Sequence, residues 1–174
     1  CLYISTMKKL STIIFLFIFF TSFQCFSQNI SEQITFISSN PFSFNDVITN
    51  FDNLEKQEVF GELVIPYDSL NPQKIFPLII GVAGSLGWKS HHLEYLKMYQ
   101  DLGFATFELK SFKSRDIEST VGEQNQVTTA AMIVDAYKAL EQLSMHPLIN
   151  KDKVSITGWS LGGAVTLFSA WVPL

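Results

Sequence analysis

A serine flanked by glycines lies near the carboxyl end of the sequence, in the stretch from Gly158 to Gly163. The apolar run 154–157 precedes it, and a run of small and apolar residues, 164–170, follows it. A strand, a G-x-S-x-G turn and a helix in this order lift a serine hydroxyl out of a sharp turn, where it can act as a nucleophile. Ser160 is therefore the first candidate for a catalytic residue.

The spacing of the two glycines has a steric reason. We expect Ser160 to have a strained backbone, with the strand and the helix approaching closely on either side of it. Side chains two positions away would collide, which explains glycine at Gly158 and Gly162. The turn also leaves the backbone N–H of Leu161 at a helix N-terminus, where it can face a developing oxyanion.

The amino-terminal region has the pattern of a secretory signal peptide. Met7 is followed by Lys8 and Lys9, then by the apolar run 13–20 and by polar and small residues. The apolar run is too short to span a bilayer. Residues 7–27 are therefore predicted to be a cleaved signal, and the protein is expected to be exported to the periplasm or secreted, without stable membrane insertion.

Residues 1–6 precede this start methionine and are predicted to be upstream reading frame. Lipidation of Cys25 is not expected, because residues 22–24 lack the small-residue pattern of a lipidated cysteine. Both cysteines, Cys1 and Cys25, are then absent from the mature chain, which has no disulfide. Without the two signal lysines, ten Lys and Arg face sixteen Asp and Glu, a net charge of −6. No basic cluster remains, so nucleic acid is not an expected partner.

Strand and helix patterns alternate along the rest of the chain. Residues 28–57 are interpreted as a polar leader with one short strand at 33–37, and residues 58–174 as a partial α/β domain with a mostly parallel sheet flanked by helices. The chain stops soon after Gly163, which predicts a truncated domain. The predicted strands are 58–65, 76–80, 104–109 and 154–157, and the predicted helices are 91–102 and 124–144.

Taken in order, these pieces resemble the α/β-hydrolase superfamily, in its dienelactone-hydrolase-like branch. The resemblance implies hydrolysis of carboxylic esters, thioesters or lactones, without metal or organic cofactor. The matching pieces are Phe76–Ile80 before a glycine-rich loop, Leu102–Thr106, Ser111-Phe112 with Arg115, Gln126-Val127, Asp135 with Ala139 and Leu140, His146-Pro147, Asp152–Val154 and Gly158–Gly163.

Three positions depart from the family pattern. Ala83-Gly84 stands where His-Gly is usual, and the resemblance places a second oxyanion donor at the N–H of Ser85. Lys110 stands where Asp is common. Ser160 replaces the cysteine of dienelactone hydrolases proper, which makes dienelactone a less expected substrate.

The same resemblance implies the chain order serine, acid, histidine. The triad acid and histidine are therefore predicted to lie beyond residue 174, and residues 28–174 alone are expected to be inactive. His91 and His92 are interpreted as part of a solvated helix face. His146, before a proline at a helix end, is interpreted as a capping or stacking residue.

Three further side chains near the predicted pocket receive structural interpretations. Trp88 and Trp159 are expected to pack at its core or rim in preference to binding substrate. Arg115 is expected to form an ion pair with Asp116, Glu118 or another loop acid, in preference to binding a substrate carboxylate.

The sequence thus predicts an exported serine hydrolase acting on a small-molecule ester or thioester. A serine peptidase of the prolyl-oligopeptidase type shares the same turn and is one alternative. A non-catalytic binding protein of the same fold is another, favoured by the missing histidine before Gly84. The spacing Gly81-x-x-Gly84-x-x-Gly87, with Glu108 after it, also resembles a dinucleotide-binding unit, but its glycine spacing is wrong for that motif.

Overall fold

The computed structural model describes residues 29–170, and the predicted signal peptide, upstream frame and both cysteines lie outside them. Five strands and four helices are found within this range, joined by two short 3-10 helices at Phe51–Asn53 and Lys113–Arg115. In chain order the elements are β1 (Ile30–Ser39), α1 (Phe44–Thr49), β2 (Lys56–Ile65), β3 (Phe76–Val82), α2 (Ser90–Asp101), β4 (Ala105–Leu109), α3 (Thr129–Leu143), β5 (Ile149–Gly158) and α4 (Leu161–Ser169).

The five strands form one mixed sheet in the order β1-β2-β4-β3-β5. β3 pairs in parallel with β4 and β5, whereas β2 runs antiparallel to both β1 and β4. The predicted α/β sheet flanked by helices is confirmed, and its parallel part consists of β4, β3 and β5. The carboxyl ends of these three strands lie at one edge of the sheet, where ligands bind in open α/β folds.

Strand β3, which lies between β4 and β5, is buried along nearly its whole length, as its continuous apolar run predicts. The connections from β3 to β4 and from β4 to β5 run in opposite directions across the sheet. Right-handed crossovers therefore place α2 and α3 on opposite faces. The core between sheet and helices includes Leu63, Leu78, Phe107 and Leu143, each at most 1% exposed.

Three predicted boundaries require correction. The long helix begins at Thr129 and not at Gln124, because Thr128 is extended and its hydroxyl caps the helix by accepting from the Ala131 N–H. The last strand begins at Ile149, since residues 149–153 continue β5 through an irregular register opposite β3. The strand predicted at 33–37 extends over Ile30–Ser39 and pairs with β2 along its full length, so the 28–57 segment contributes an edge strand to this sheet.

No helix within residues 29–170 is both long and apolar enough to cross a bilayer.

Candidate active site

Ser160 lies in a tight turn between β5 and α4, at the carboxyl edge of the sheet. Its backbone angles are φ 52° and ψ −114°, a region that residues other than glycine rarely occupy. Such strain persists only where the surrounding structure enforces it, and it is concentrated at functional sites. The side chain is exposed. The hydroxyl makes no hydrogen bond with any residue from 29 to 170, so it is open to a ligand.

The glycines on either side of Ser160 lie where the backbone leaves no space for a side chain. A Cβ atom added at Gly158 would lie 2.1 Å from the carbonyl oxygen of Gly162. A Cβ added at Gly162 would lie 2.2 Å from the carbonyl oxygen of Val82, at the end of β3. Both distances are far below van der Waals contact, so strand β3, strand β5 and helix α4 meet at this turn with backbone against backbone.

This crowding predicts different outcomes for two neighbouring glycines. Gly162→Ala should lower the free energy of unfolding by about 2–4 kcal/mol, because its new methyl group would overlap backbone that cannot move without displacing β3. Gly163→Ala is the matched control, since a Cβ at Gly163 has its nearest neighbour at 3.5 Å. In this second variant stability should be unchanged or higher by up to about 1 kcal/mol, because alanine favours helix. Urea unfolding of both variants measures the difference, and equal stabilities would contradict this account of the turn.

The amino-terminal end of α4 presents a free backbone donor beside Ser160. The N–H of Gly162 donates to the carbonyl of Trp159 at 2.9 Å, and the N–H of Gly163 donates to the carbonyl of Ser160 at 2.9 Å. The N–H of Leu161 has no partner among residues 29–170. A free N–H at a helix N-terminus is suited to bind a negatively charged oxygen.

The loop after β3 contacts the same turn. A Cβ at Gly84 would lie 3.3 Å from the Cβ of Ser160 and 3.0 Å from the carbonyl oxygen of Trp159. Residues 84–87 form a tight turn, in which the Gly87 N–H donates to the Gly84 carbonyl at 2.9 Å and Gly87 has a φ of 72°. The N–H of Ser85 in this 84–87 turn has no partner in the described part of the chain. The structure therefore brings Ser85, Ser160 and Leu161 into one region.

An aromatic cluster covers one side of the turn that holds Ser160. The Trp159 ring stacks on the His92 ring with 4.6 Å between centroids, and Trp88 contacts both rings edge-on at 5.8 and 5.7 Å. The indole N–H of Trp88 donates to the carbonyl of Leu109 at 2.9 Å, which fixes this ring between β3 and β4. Both tryptophans are half-buried and packed against neighbours, in agreement with the structural interpretation of their role.

His92 is a buried member of this cluster, 5% exposed, so the prediction of a solvated helix face is wrong for this residue. Its Nδ1 accepts a hydrogen bond from the backbone N–H of Lys89 at 3.2 Å. Burial lowers the pKa of His92 below its ordinary value of 6.5, and the charges of His91 and Lys89 act in the same direction. His92 is therefore neutral near pH 7, and its ring packs against the ring of Trp159.

The lowered pKa of His92 makes stability depend on pH. Below about pH 6.5 the unfolded chain takes up a proton that the folded chain resists, so stability should fall as the pH is lowered from about 7.5 to 5. His92→Phe should flatten this decline, whereas His91→Gln should keep most of it, because burial is the main cause. Thermal unfolding at a series of pH values tests this. A decline in His92→Phe as steep as in the unmodified protein would assign the effect to other groups.

His146 and Arg115 are held by contacts away from Ser160. The Nε2 of His146 lies 2.8 Å from the Glu32 carboxylate on β1, and its Nδ1 accepts from the Leu148 N–H at 3.2 Å, so this side chain holds the turn that leads into β5 and does not cap α3. Arg115 forms the expected ion pair, but its partner is Asp135 on α3 and not Asp116 or Glu118.

The Arg115–Asp135 pair is the centre of a buried polar network that was not predicted in full. Both nitrogens of the guanidinium fork contact the carboxylate, at 2.8 and 3.0 Å, and the two side chains are 7% and 0% exposed. Ser38 at the end of β1 donates to the same carboxylate, and Asn40 accepts from the Arg115 Nε. Sequence carries one signal for it: Asp135 shares a buried helix face with Ala131 and Ala139, at a spacing of four.

A cavity of about 330 Å³ opens beside the 84–87 turn. Its walls come from that turn and from the segment that follows β4, including Trp88, Ser111 and Ile117. The hydroxyl of Ser111 is buried and has no partner within residues 29–170. No group of three or more His, Cys, Asp or Glu in this range could hold a metal ion.

The glycine spacing that resembled a dinucleotide-binding unit has a different structural role. Gly81 lies inside β3, where a Cβ would contact the side chains of Trp88 and Leu96. Gly84 lies against Ser160, and the carboxylate of Glu108 pairs with Lys110. Gly81 leaves room for side chains that pack on the sheet, and Gly84 allows the loop to approach the turn that holds Ser160.

The chain is similar to solved structures but matches no sequence family. No family model and no curated protein matches the chain. Among solved structures, the α/β-hydrolase GrgF from a Penicillium species superposes with a TM-score of 0.56 at 17% identity, covering 81% of this chain and 41% of its own. A protein from Klebsiella pneumoniae, provisionally named a dienelactone hydrolase, has a TM-score of 0.52 at 16% identity, covering 80% of this chain and 55% of its own.

A protein from Bacteroides ovatus, provisionally named dipeptidyl aminopeptidase IV, also superposes. Its TM-score is 0.55 at 18% identity, covering 84% of this chain and 20% of its own. The chain spans about half the length of the first structures it matches, 54% and 55%.

Proposed function

Because the chain has the α/β-hydrolase fold, we propose that it is part of a serine hydrolase acting on carboxylic esters, thioesters or lactones. One observation carries the proposal: Ser160 is held at φ 52° with an exposed, unpaired hydroxyl, next to the free N–H of Leu161. This combination presents a nucleophile and an oxyanion donor at one point of the surface.

In the proposed reaction the Ser160 Oγ attacks the acyl carbonyl carbon. The N–H groups of Leu161 and Ser85 stabilise the negative charge that develops on the carbonyl oxygen. A base removes the hydroxyl proton and returns it to the leaving group, which departs and leaves an acyl-serine ester. Water then attacks this ester. The base takes a proton from the water and returns it to the Ser160 oxygen, which releases the acid and regenerates Ser160. The reaction needs neither metal nor organic cofactor.

The base is proposed to be a histidine oriented by an acidic residue, both in sequence that follows residue 174. Support comes from the site itself, since the Ser160 hydroxyl has no partner among residues 29–170. His92 accepts at Nδ1 from Lys89 and stacks on Trp159, and His146 is paired with Glu32. Neither is placed to take the proton of Ser160.

The substrate is proposed to be a small molecule. Support comes from the superposition on the Klebsiella pneumoniae protein that is provisionally named a dienelactone hydrolase. Export through the residue 7–27 signal remains part of the proposal, supported by Lys8, Lys9 and the apolar run that follows them.

A serine peptidase is the second candidate, favoured by the superposition on the Bacteroides ovatus protein. The full-length protein should be assayed in parallel on p-nitrophenyl acetate and butyrate and on dipeptidyl p-nitroanilides. Turnover of the esters with negligible release of p-nitroaniline supports the ester hydrolase. Faster turnover of the anilides would favour the peptidase, and inactivity on both classes would refute the proposed function.

A further inference from the structure

The 84–87 turn carries two consecutive peptide groups whose orientation matters for an oxyanion. In a trans peptide the carbonyl and the following N–H point in opposite directions. Fixing the Gly84 carbonyl therefore fixes the Ser85 N–H, and fixing the Ser85 carbonyl fixes the Leu86 N–H. Neither of these two N–H groups has a partner within residues 29–170.

The two carbonyls are held from different directions. The Gly84 carbonyl accepts from Gly87 within the turn, at 2.9 Å. The Ser85 carbonyl accepts two hydrogen bonds from outside the turn: one from the backbone N–H of Thr120 at 2.9 Å and one from the hydroxyl of Ser119 at 3.1 Å. Position 83 is alanine, whose methyl group cannot contribute a hydrogen bond to the turn.

The segment that supplies these donors is itself anchored in the core. The Glu118 carbonyl oxygen lies 2.8 Å from where a Cβ at Gly87 would be, so this segment lies directly against the turn. The N–H of Ile117 donates to the carbonyl of Phe112 at 3.0 Å. Arg115 also donates to the Ser111 carbonyl at 2.8 Å while it is held by buried Asp135. Ser119 and Thr120 thus belong to a loop whose preceding residues, 111–117, are held in place by hydrogen bonds.

We propose that Ser119 and the amide of Thr120 are positioning groups for the oxyanion donors of the 84–87 turn. Through the Ser85 carbonyl they orient the Leu86 N–H directly, and they hold in place the turn whose Gly84–Gly87 hydrogen bond orients the Ser85 N–H. They hold the 84–87 turn with its free N–H groups available beside Ser160 and do not touch the substrate. This inference rests on the proposed function for its catalytic consequence, whereas its structural consequence is independent of any activity. Donors held in place before reaction stabilise charge without a cost of reorganisation.

The test compares Ser119→Ala with Ser119→Thr in the full-length protein. Ser119→Ala removes the hydroxyl donor, and amide hydrogen exchange across residues 84–88 should become about fivefold faster. Ester hydrolysis should show a kcat about tenfold lower with KM changed less than about twofold, because the loss affects charge that develops only in the transition state. Ser119→Thr keeps the hydroxyl and should restore both values.

Ser43→Ala is the matched control. Ser43 likewise bonds the backbone through its hydroxyl, which accepts from the Asp46 N–H at the start of α1, and it lies outside the site. Exchange across residues 84–88 should be unchanged in this variant. Unchanged exchange in Ser119→Ala overturns the positioning role even if the protein is an active esterase. A raised KM with unchanged kcat overturns its catalytic consequence. An unmodified protein without esterase activity refutes the proposed function, while exchange still decides whether Ser119 holds the turn.

Discussion

Ser160→Ala is expected to lower the ester hydrolysis of the full-length protein by about 10³-fold to 10⁶-fold, to the level of the uncatalysed reaction or slightly above it. The physical reason is that alanine has no nucleophile, so no acyl-serine ester forms. The remaining backbone donors of Leu161 and Ser85 can only polarise a bound carbonyl, which accounts for a small residual rate. The initial rate of p-nitrophenolate release measures this effect.

A control and a second measurement make this result specific. Ser155→Ala removes an exposed hydroxyl from the same strand, β5, and should leave the rate unchanged. A fluorophosphonate probe should label Ser160 in the unmodified protein, as shown by mass spectrometry of the labelled peptide, and should not label the alanine variant. Ser160→Ala with normal turnover, or label on another serine, would show that the nucleophile is a different residue.

The largest effect on stability is expected at the buried ion pair. Asp135→Ala should lower the free energy of unfolding by about 3–5 kcal/mol, because it leaves the Arg115 guanidinium buried without its carboxylate. The hydroxyl of Ser38 would lose the same partner. Guanidinium chloride unfolding, followed by circular dichroism, measures the change.

Two further variants test the reason for this loss. Glu141→Ala breaks the Lys138–Glu141 pair on the exposed side of the same helix and should cost less than about 1 kcal/mol. The double replacement Arg115→Met with Asp135→Leu removes both charges and should be less destabilising than Asp135→Ala alone, since no charge is left buried without a partner. A double variant at least as unstable as the single one would mean that the network does more than neutralise two buried charges.

Local sequence predicted those features of the fold that are set by residues close to one another in the chain. The continuous apolar run of β3, the helical spacing of α3 and the glycines around Ser160 each predicted an element that the structure contains. The tight turn at Ser160 is local in this sense, because its conformation is set by a strand, a helix and the two glycines on either side of the serine. The close approach of strand and helix at Gly158 and Gly162 could be inferred from the spacing, whereas the contact of Gly162 with Val82 of β3 could not.

Sequence was less informative where a residue's role depends on a distant partner. It predicted an ion pair for Arg115 but chose nearby acids, and the structure pairs it with Asp135, twenty positions further along the chain. It placed His92 on a solvated face because helical spacing alone does not say that Trp88 and Trp159 cover it. Ser119 carried no recognisable signal, since its importance comes from the carbonyl of Ser85 against which the fold places it.

By itself, then, the sequence determined the kinds of element, their order and the position of the tight turn at Ser160, because periodicity and steric exclusion operate over a few residues. Only the tertiary structure decided which strand lies beside which, which charge neutralises Arg115 and which groups hold the 84–87 turn against Ser160. These contacts join residues far apart in the chain, and their geometry exists only once β3, β4 and β5 have paired and brought their loops to one edge of the sheet.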